Sequence, residues 1–256
     1  MDLLQAILLG IIEGATEFLP VSSTGHLILA GELMRIPSTD FYKSFEIVIQ
    51  LGAILAVVVL YFRSFFDIEV LKRIIVAFIP TGIIGLAFYH VVKTYLLGNA
   101  VVVLWALLLG GFALILFELA RTEKFQYDMP LSAITYKQAL VIGLFQSIAI
   151  IPGVSRSAAT IVGGLLMDIP RKTIVEFSFL LAVPTMAAAT GLDLLKNYSS
   201  FSSSGISLIA IGFVVSFVVA LLAVKFFLSY VRTHGFLPFG IYRVLVAILF
   251  WVILIH

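Results

Sequence analysis

Six apolar stretches, at about residues 42–62, 71–95, 99–119, 173–193, 205–229 and 238–255, each approach the roughly 20 residues an α-helix needs to cross a bilayer. They are continuous rather than alternating, which argues for helices and against a membrane β-barrel. With 62% hydrophobic and 12% charged residues and a mean hydropathy of +1.17, the chain departs from the composition of soluble domains. An all-α, polytopic membrane protein is expected. There is no cysteine, which excludes disulfides, thiolate metal sites and a cysteine nucleophile. The first residues, "MDLLQAILLGIIEGATEF", lack a basic leading segment and a small-residue cleavage site, so they are expected to belong to the mature fold. The formal charge of +2 rests on residues between spans and gives no reason to expect a nucleic-acid partner.

A second constraint is internal. Shifted by 133 positions, residues 5–37 (QAILLGIIEGATEFLPVSSTGHLILAGELMRIP) align without a gap on residues 138–170 (QALVIGLFQSIAIIPGVSRSAATIVGGLLMDIP), with 11 of 33 positions identical. Each copy has an apolar half of about 15 residues, a break carrying Pro and Ser, and a second half of about 11. Neither half can span a bilayer. Non-helical backbone at membrane depth is tolerated where protein or a water-filled cavity surrounds it, so each copy is expected to be a re-entrant helical hairpin. Three full spans separate the hairpins, and an odd number makes the second enter from the opposite face. The expected fold is six transmembrane helices plus two re-entrant hairpins in an inverted-topology repeat, with the two tips meeting near the midplane.

Residues 1–256 form a single membrane domain on this view, with repeat one at 1–120, repeat two at 134–256 and a cytoplasmic loop at 120–135 between them. Of the Lys and Arg residues between spans, ten fall on one side (63, 72, 73, 121, 124, 137, 171, 172, 225 and 232) and four on the other (35, 43, 93 and 196). The positive-inside rule makes the first side cytoplasmic and puts both termini outside. The serine-rich residues 199–205 then form an external connector.

The two breaks carry the chemistry. Glu13 and Glu17 are one helical turn apart on one face. Each charge near the bilayer centre costs at least about 2.5–3.5 kcal/mol, so a bound cation, a polar cavity or protonation has to offset it. After Pro20, Ser22 and Ser23 stand where the second half-helix begins and can cap it, and His26 follows one turn later as a candidate acid, base or ligand. In the second break, "PGVSRSAAT", Gly153 permits close backbone approach, Ser155 can cap, and Arg156 opens the half-helix with Ser157 and Thr160 behind it. A helix N-terminus with a guanidinium suits phosphate oxygens, whereas a plain salt bridge from Arg156 to Glu13 or Glu17 is the structural alternative. An acidic, nucleophile-bearing half and a cationic half together suit a phosphate ester or anhydride with a divalent metal. Elsewhere, Glu46 and Gln50 share a face and could line the cavity, while Glu118 and Glu176 are expected to reach the interface. Arg243, in "PFGIYR", reads as interfacial or paired. Gly110 and Gly111 could mark close helix packing, and a homodimer stays open.

The stretches "EGATEFLPVSSTGH" and "PGVSRSAAT" resemble the two signature motifs of the bacterial undecaprenyl pyrophosphate phosphatase family, named for bacitracin resistance. The resemblance extends to residues 45–61 and 238–245 and so covers essentially the whole chain. It implies hydrolysis of undecaprenyl diphosphate to the monophosphate and inorganic phosphate, dependent on Mg2+ or Ca2+, recycling the lipid carrier for peptidoglycan synthesis. The implied location is the bacterial inner membrane, with the site open to the periplasmic face. The family's acidic motif falls on Glu13 and Glu17, its Ser and His positions on Ser22, Ser23 and His26, and its phosphate-binding motif on Ser155, Arg156, Ser157 and Thr160. Ala158 departs from the Gly found in many members. The pattern of the phosphatidic acid phosphatases, with a His and an Asp beyond the Ser-Arg, does not follow Arg156.

The expected roles are a metal held by Glu13 and Glu17, charge neutralisation by Arg156, and either attack by Ser23 with His26 assisting or attack by a metal-activated water. Ser22, Gly153, Ser155, Arg156, Ser157 and Thr160 are expected to bind substrate, a prenyl diphosphate lying among membrane lipid. The competing class is a transporter or flippase of the prenyl phosphate carrier, which inverted repeats suit as well.

Overall fold

The structure, a computed structural model, describes residues 1–96, 98–121, 129–197 and 205–255, with side chains left out at 93, 192–197, 254 and 255. All regular structure among the described residues is helical: α1 (Leu3–Thr16), α2 (Ser23–Leu33), α3 (Asp40–Leu60), α4 (Ile68–Val91), α5 (Ala100–Ala120), α6 (Tyr136–Ser147), α7 (Arg156–Leu165), α8 (Arg171–Asn197), α9 (Ile206–Tyr230) and α10 (Leu237–Ile255). Five of these, α3, α4, α5, α8 and α9, contain windows long and apolar enough to cross a membrane. The sixth expected span, α10, has 19 residues, about 28 Å of helix, and sits at the lower edge of that range. The apolar window of α9, with a mean hydropathy of 2.8, is only 17% buried in protein. Leu222, Phe226, Ile83, Leu86, Leu116 and Leu245 are more than half exposed, an apolar surface suited to lipid. The protein is polytopic in the membrane.

The four short helices form the two broken pairs, α1–α2 and α6–α7, and the 133-residue offset holds atom by atom. Asp2 and Gln5 make a capping box at α1, as Thr135 and Gln138 do at α6. Gln5 Nε2 donates to the Met34 carbonyl and Gln138 Nε2 to that of Met167. Ser22 and Ser155 both cap the returning helix from left-handed backbone, at φ +73° and +75°. Arg35 and Asp168, which close the two hairpins, share it at φ +54° and +56°. Packing repeats as well, with α1 against α9 as α6 is against α4. Glycine makes both approaches possible: a methyl group at Gly14 would lie 2.5 Å from the Ser216 carbonyl oxygen, and one at Gly143 would overlap that of Ala77.

The principal core joins both halves, drawing Phe18, Phe177, Phe179, Phe227 and Phe236 into one cluster, with Phe18 edge-on to Phe179 at 5.2 Å. Glu118, expected at the interface, instead turns inward, where its Oε1 accepts from Arg171 and from the Phe236 N–H, both at 3.0 Å. That contact ties the end of α5 to the starts of α8 and α10. Residues 122–128 of the expected connecting loop, Lys124 among them, and residues 199–204 of the serine-rich one lie outside the described residues.

Candidate active site

Both breaks open onto one cavity of about 230 Å³, lined from the first hairpin by Glu17, Ser22, Ser23 and Thr24, and from the second by Ile151, Pro152, Gly153, Ser155 and Arg156. Ala149, Gln50 of α3 and Met186 and Ala189 of α8 complete its wall. Two helix N-termini, those of α2 and α7, therefore converge on one space from opposite hairpins. Each brings partly positive backbone N–H groups: the Ser22 and Ser155 hydroxyls cap Gly25 N and Ala158 N, and the first two N–H groups of each helix, those of Ser23 and Thr24 and of Arg156 and Ser157, are left uncapped by them.

Glu17 is the hub. It is 7% exposed, its Oε2 accepts a very short hydrogen bond from Ser23 Oγ, and its Oε1 takes Arg156 Nη2 at 3.1 Å. The ion pair weighed as the structural alternative is thus present, but it does not exhaust the guanidinium. Arg156 Nη1 donates to the Ser178 carbonyl at 2.9 Å, while its buried Nε has no acceptor. Ser178, absent from the sequence reasoning, also bonds Thr160 Oγ1 at 2.5 Å, so α8 braces the start of α7.

Glu13 lies one turn below Glu17, wholly buried, with no hydrogen-bond donor to either carboxylate oxygen. No cage of three or more His, Asp or Glu side chains occurs among the described residues. The two orphaned oxygens of Glu13 beside Glu17 nonetheless fit a divalent cation, because Mg2+ is commonly held by one or two carboxylates with the remaining sites filled by substrate phosphate and water.

Not every expected residue faces the cavity. Ser157 Oγ donates to the Phe18 carbonyl at 2.8 Å and Thr160 Oγ1 to the Arg156 and Ser157 carbonyls, so both hydroxyls are spent inside the protein. Ser157 docks the second hairpin on the first, since Phe18 follows Glu17, whereas Thr160 ties α7 to α8 through Ser178. His26 turns away too. Its Nδ1 lies 2.7 Å from the Ser22 carbonyl, which can only accept, so that nitrogen carries the proton; Nε2 meets the Tyr242 hydroxyl at 2.8 Å. The expected reach of His26 toward the glutamate face is not made, because its position on α2 points it at α10. Tyr242 and the wall residues Thr24, Met186 and Ala189 were missed; Thr24, inside the first motif, and Tyr242, inside "PFGIYR", stood in stretches already singled out, whereas Met186 and Ala189 carried no signal.

The family model described as bacitracin resistance protein BacA matches residues 6–249. Among curated relatives, the undecaprenyl-diphosphatase of Sulfurihydrogenibium sp. (strain YO3AOP1) is 52% identical over 252 residues, 98% of this chain and 99% of its own. That of Aquifex aeolicus (strain VF5) is 54% identical over 247 residues, 96% of each chain. The undecaprenyl-diphosphatase of Wolinella succinogenes is 50% identical over 251 residues, covering 98% and 97%.

Proposed function

The chain belongs to the bacitracin resistance BacA family, and from that membership we propose that it hydrolyses undecaprenyl diphosphate to undecaprenyl phosphate and inorganic phosphate. The reaction returns the lipid carrier to peptidoglycan synthesis and so confers bacitracin resistance, in the cytoplasmic membrane with the site open to the outer side. One observation carries the reading: a serine hydroxyl bonded to a buried carboxylate, an arginine and two helix N-termini share a single cavity between the broken helices. Opposed N-termini suit a diphosphate, one phosphoryl group to each. Met186 and Ala189, in the half of α8 that runs toward the outer side, support the direction of opening.

Ser23 attacks the terminal phosphorus and its proton passes to Glu17. The new Oγ–P bond forms as the bond to the bridging oxygen breaks, and undecaprenyl phosphate leaves with that oxygen and its electron pair. Water then attacks the phosphoserine, Glu17 returns its proton to Ser23 Oγ, and phosphate departs. Arg156 and the N–H groups of α2 and α7 hold the non-bridging oxygens as charge builds on them. Glu13 and Glu17 would hold Mg2+ or Ca2+, which when bound neutralises phosphate charge as a Lewis acid.

The test is phosphate release from undecaprenyl diphosphate by the purified protein in detergent. Turnover is expected, lost with a chelator and restored by Mg2+ or Ca2+. A flippase needs two compartments and would release nothing there; release that ignores the chelator would remove the cation from the mechanism.

A further inference from the structure

Arg243 is the largest fully buried side chain among the described residues, and no described carboxylate lies within ion-pair reach of it. Its guanidinium is held by main-chain carbonyls alone. Nη1 donates to Val154 at 2.9 Å and Pro20 at 3.4 Å, and Nη2 to Gly153 and Ala106 at 3.0 Å each. Pro20 belongs to the first break, Gly153 and Val154 to the second, and Ala106 to α5. One side chain of α10 therefore grips both interrupted segments where they meet, where the carbonyls lack helical N–H partners. Glycine makes the room, since a methyl group at Gly110 would overlap the guanidinium.

Satisfying stray carbonyls does not need a charge. A neutral amide donor would bond some of them without the cost of burying an ion, so an unneutralised guanidinium here points to an anion nearby. Geometry adds a second argument. Carbonyl and following N–H point in opposite directions across a trans peptide, so anchoring the Val154 carbonyl on Arg243 turns the Ser155 N–H the other way, and Ser155 lines the cavity. Arg156 is already paired with Glu17, which leaves Arg243 as the cation beside the breaks with no carboxylate partner.

We propose that Arg243 is a positioning residue of the diphosphate site, locking the two breaks in register and supplying uncompensated positive charge behind them. The inference rests on the cavity taking a diphosphate. Arg243→Gln, Arg243→Lys and Gly110→Ala, made in the full-length protein, test it by thermal midpoint, by calorimetry with inorganic pyrophosphate and Mg2+, and by kcat and KM on undecaprenyl diphosphate. Arg243→Gln is expected to weaken pyrophosphate binding about tenfold or more and to raise KM more than it lowers kcat. Arg243→Lys, which restores the charge without the fork, should recover part of the loss. Gly110→Ala, which displaces the fork and keeps the charge, should fall between Gln and wild type. A folded Arg243→Gln protein with wild-type pyrophosphate affinity and KM overturns the proposal. If that variant does not fold, wild-type pyrophosphate affinity in both Arg243→Lys and Gly110→Ala does the same. A wild-type protein that binds pyrophosphate, weakens on these substitutions and yet releases no phosphate from the lipid would instead sink the hydrolase reading and leave the role of Arg243 standing.

Discussion

Ser23 meets Glu17 because the residue before it, Ser22, takes a left-handed backbone that non-glycine residues adopt at a cost of about 1 kcal/mol. Ser155 repeats the conformation 133 residues later, so the strain belongs to the way these half-helices begin. The hydroxyls differ in what they are left to do: Ser22 and Ser155 cap, Ser157 docks on Phe18, and Ser23 is bonded to a base in the cavity. Ser23→Ala is therefore expected to lower kcat by about a thousandfold or more with the protein still folded, measured as phosphate release. A residual activity of a few per cent would instead favour direct attack by water. The first motif marked Ser23 as a nucleophile and Glu17 as a metal ligand, but it did not pair them, since helical spacing is local and the two lie on either side of the Pro20 break. It did not reveal that His26, three residues on, faces Tyr242, because that depends on where α10 lies.

Among the elements, the short helices are positioned by glycines against carbonyls. Gly14 stands one residue from Glu13 and allows α1 to touch the backbone of α9 at Ser216 and Ala220. Gly14→Ala should push α1 outward, lowering stability by about 1–3 kcal/mol and reducing kcat, because both glutamates travel with the helix. Gly85→Ala is the control: nothing lies within 4 Å of a methyl group there, and replacing a mid-helix glycine should raise stability by about 0.5–1 kcal/mol with activity unchanged. Thermal unfolding in detergent reads both. Gly110 and Gly111, ambiguous in the sequence, separate here into two functions. The first admits the Arg243 guanidinium, and the second lets α5 approach the Gly240 carbonyl of α10 at 2.9 Å from its would-be methyl.

For the whole molecule, the odd number of spans between hairpins and the ten-to-four asymmetry of Lys and Arg predict which side is cytoplasmic. The absence of cysteine makes that assignment directly measurable. In intact cells a membrane-impermeant thiol reagent is expected to label Lys43→Cys, exposed at the start of α3, and to reach the exposed Arg232→Cys, beyond α9, only after lysis. The reverse pattern would put the cavity mouth on the cytoplasmic side and exclude processing of a carrier presented outside. The meeting of the two hairpins brings residues 139 positions apart, Glu17 and Arg156, into one buried pair.

The membrane class, the extent of the broken helices, their duplication and the acidic and cationic characters of the two breaks were all legible along the chain. Those properties follow from hydropathy, helix length and capping, which act over a few turns of chain. Packing between distant elements settled which polar groups face the cavity, that Ser157 ties the second hairpin to the first while Thr160 braces α7 on α8, and that Arg243 reaches back 223 positions to Pro20. A sequence fixes the phase of side chains within one helix, but the face that meets another helix is set by how glycines and large side chains pack between elements far apart in the chain.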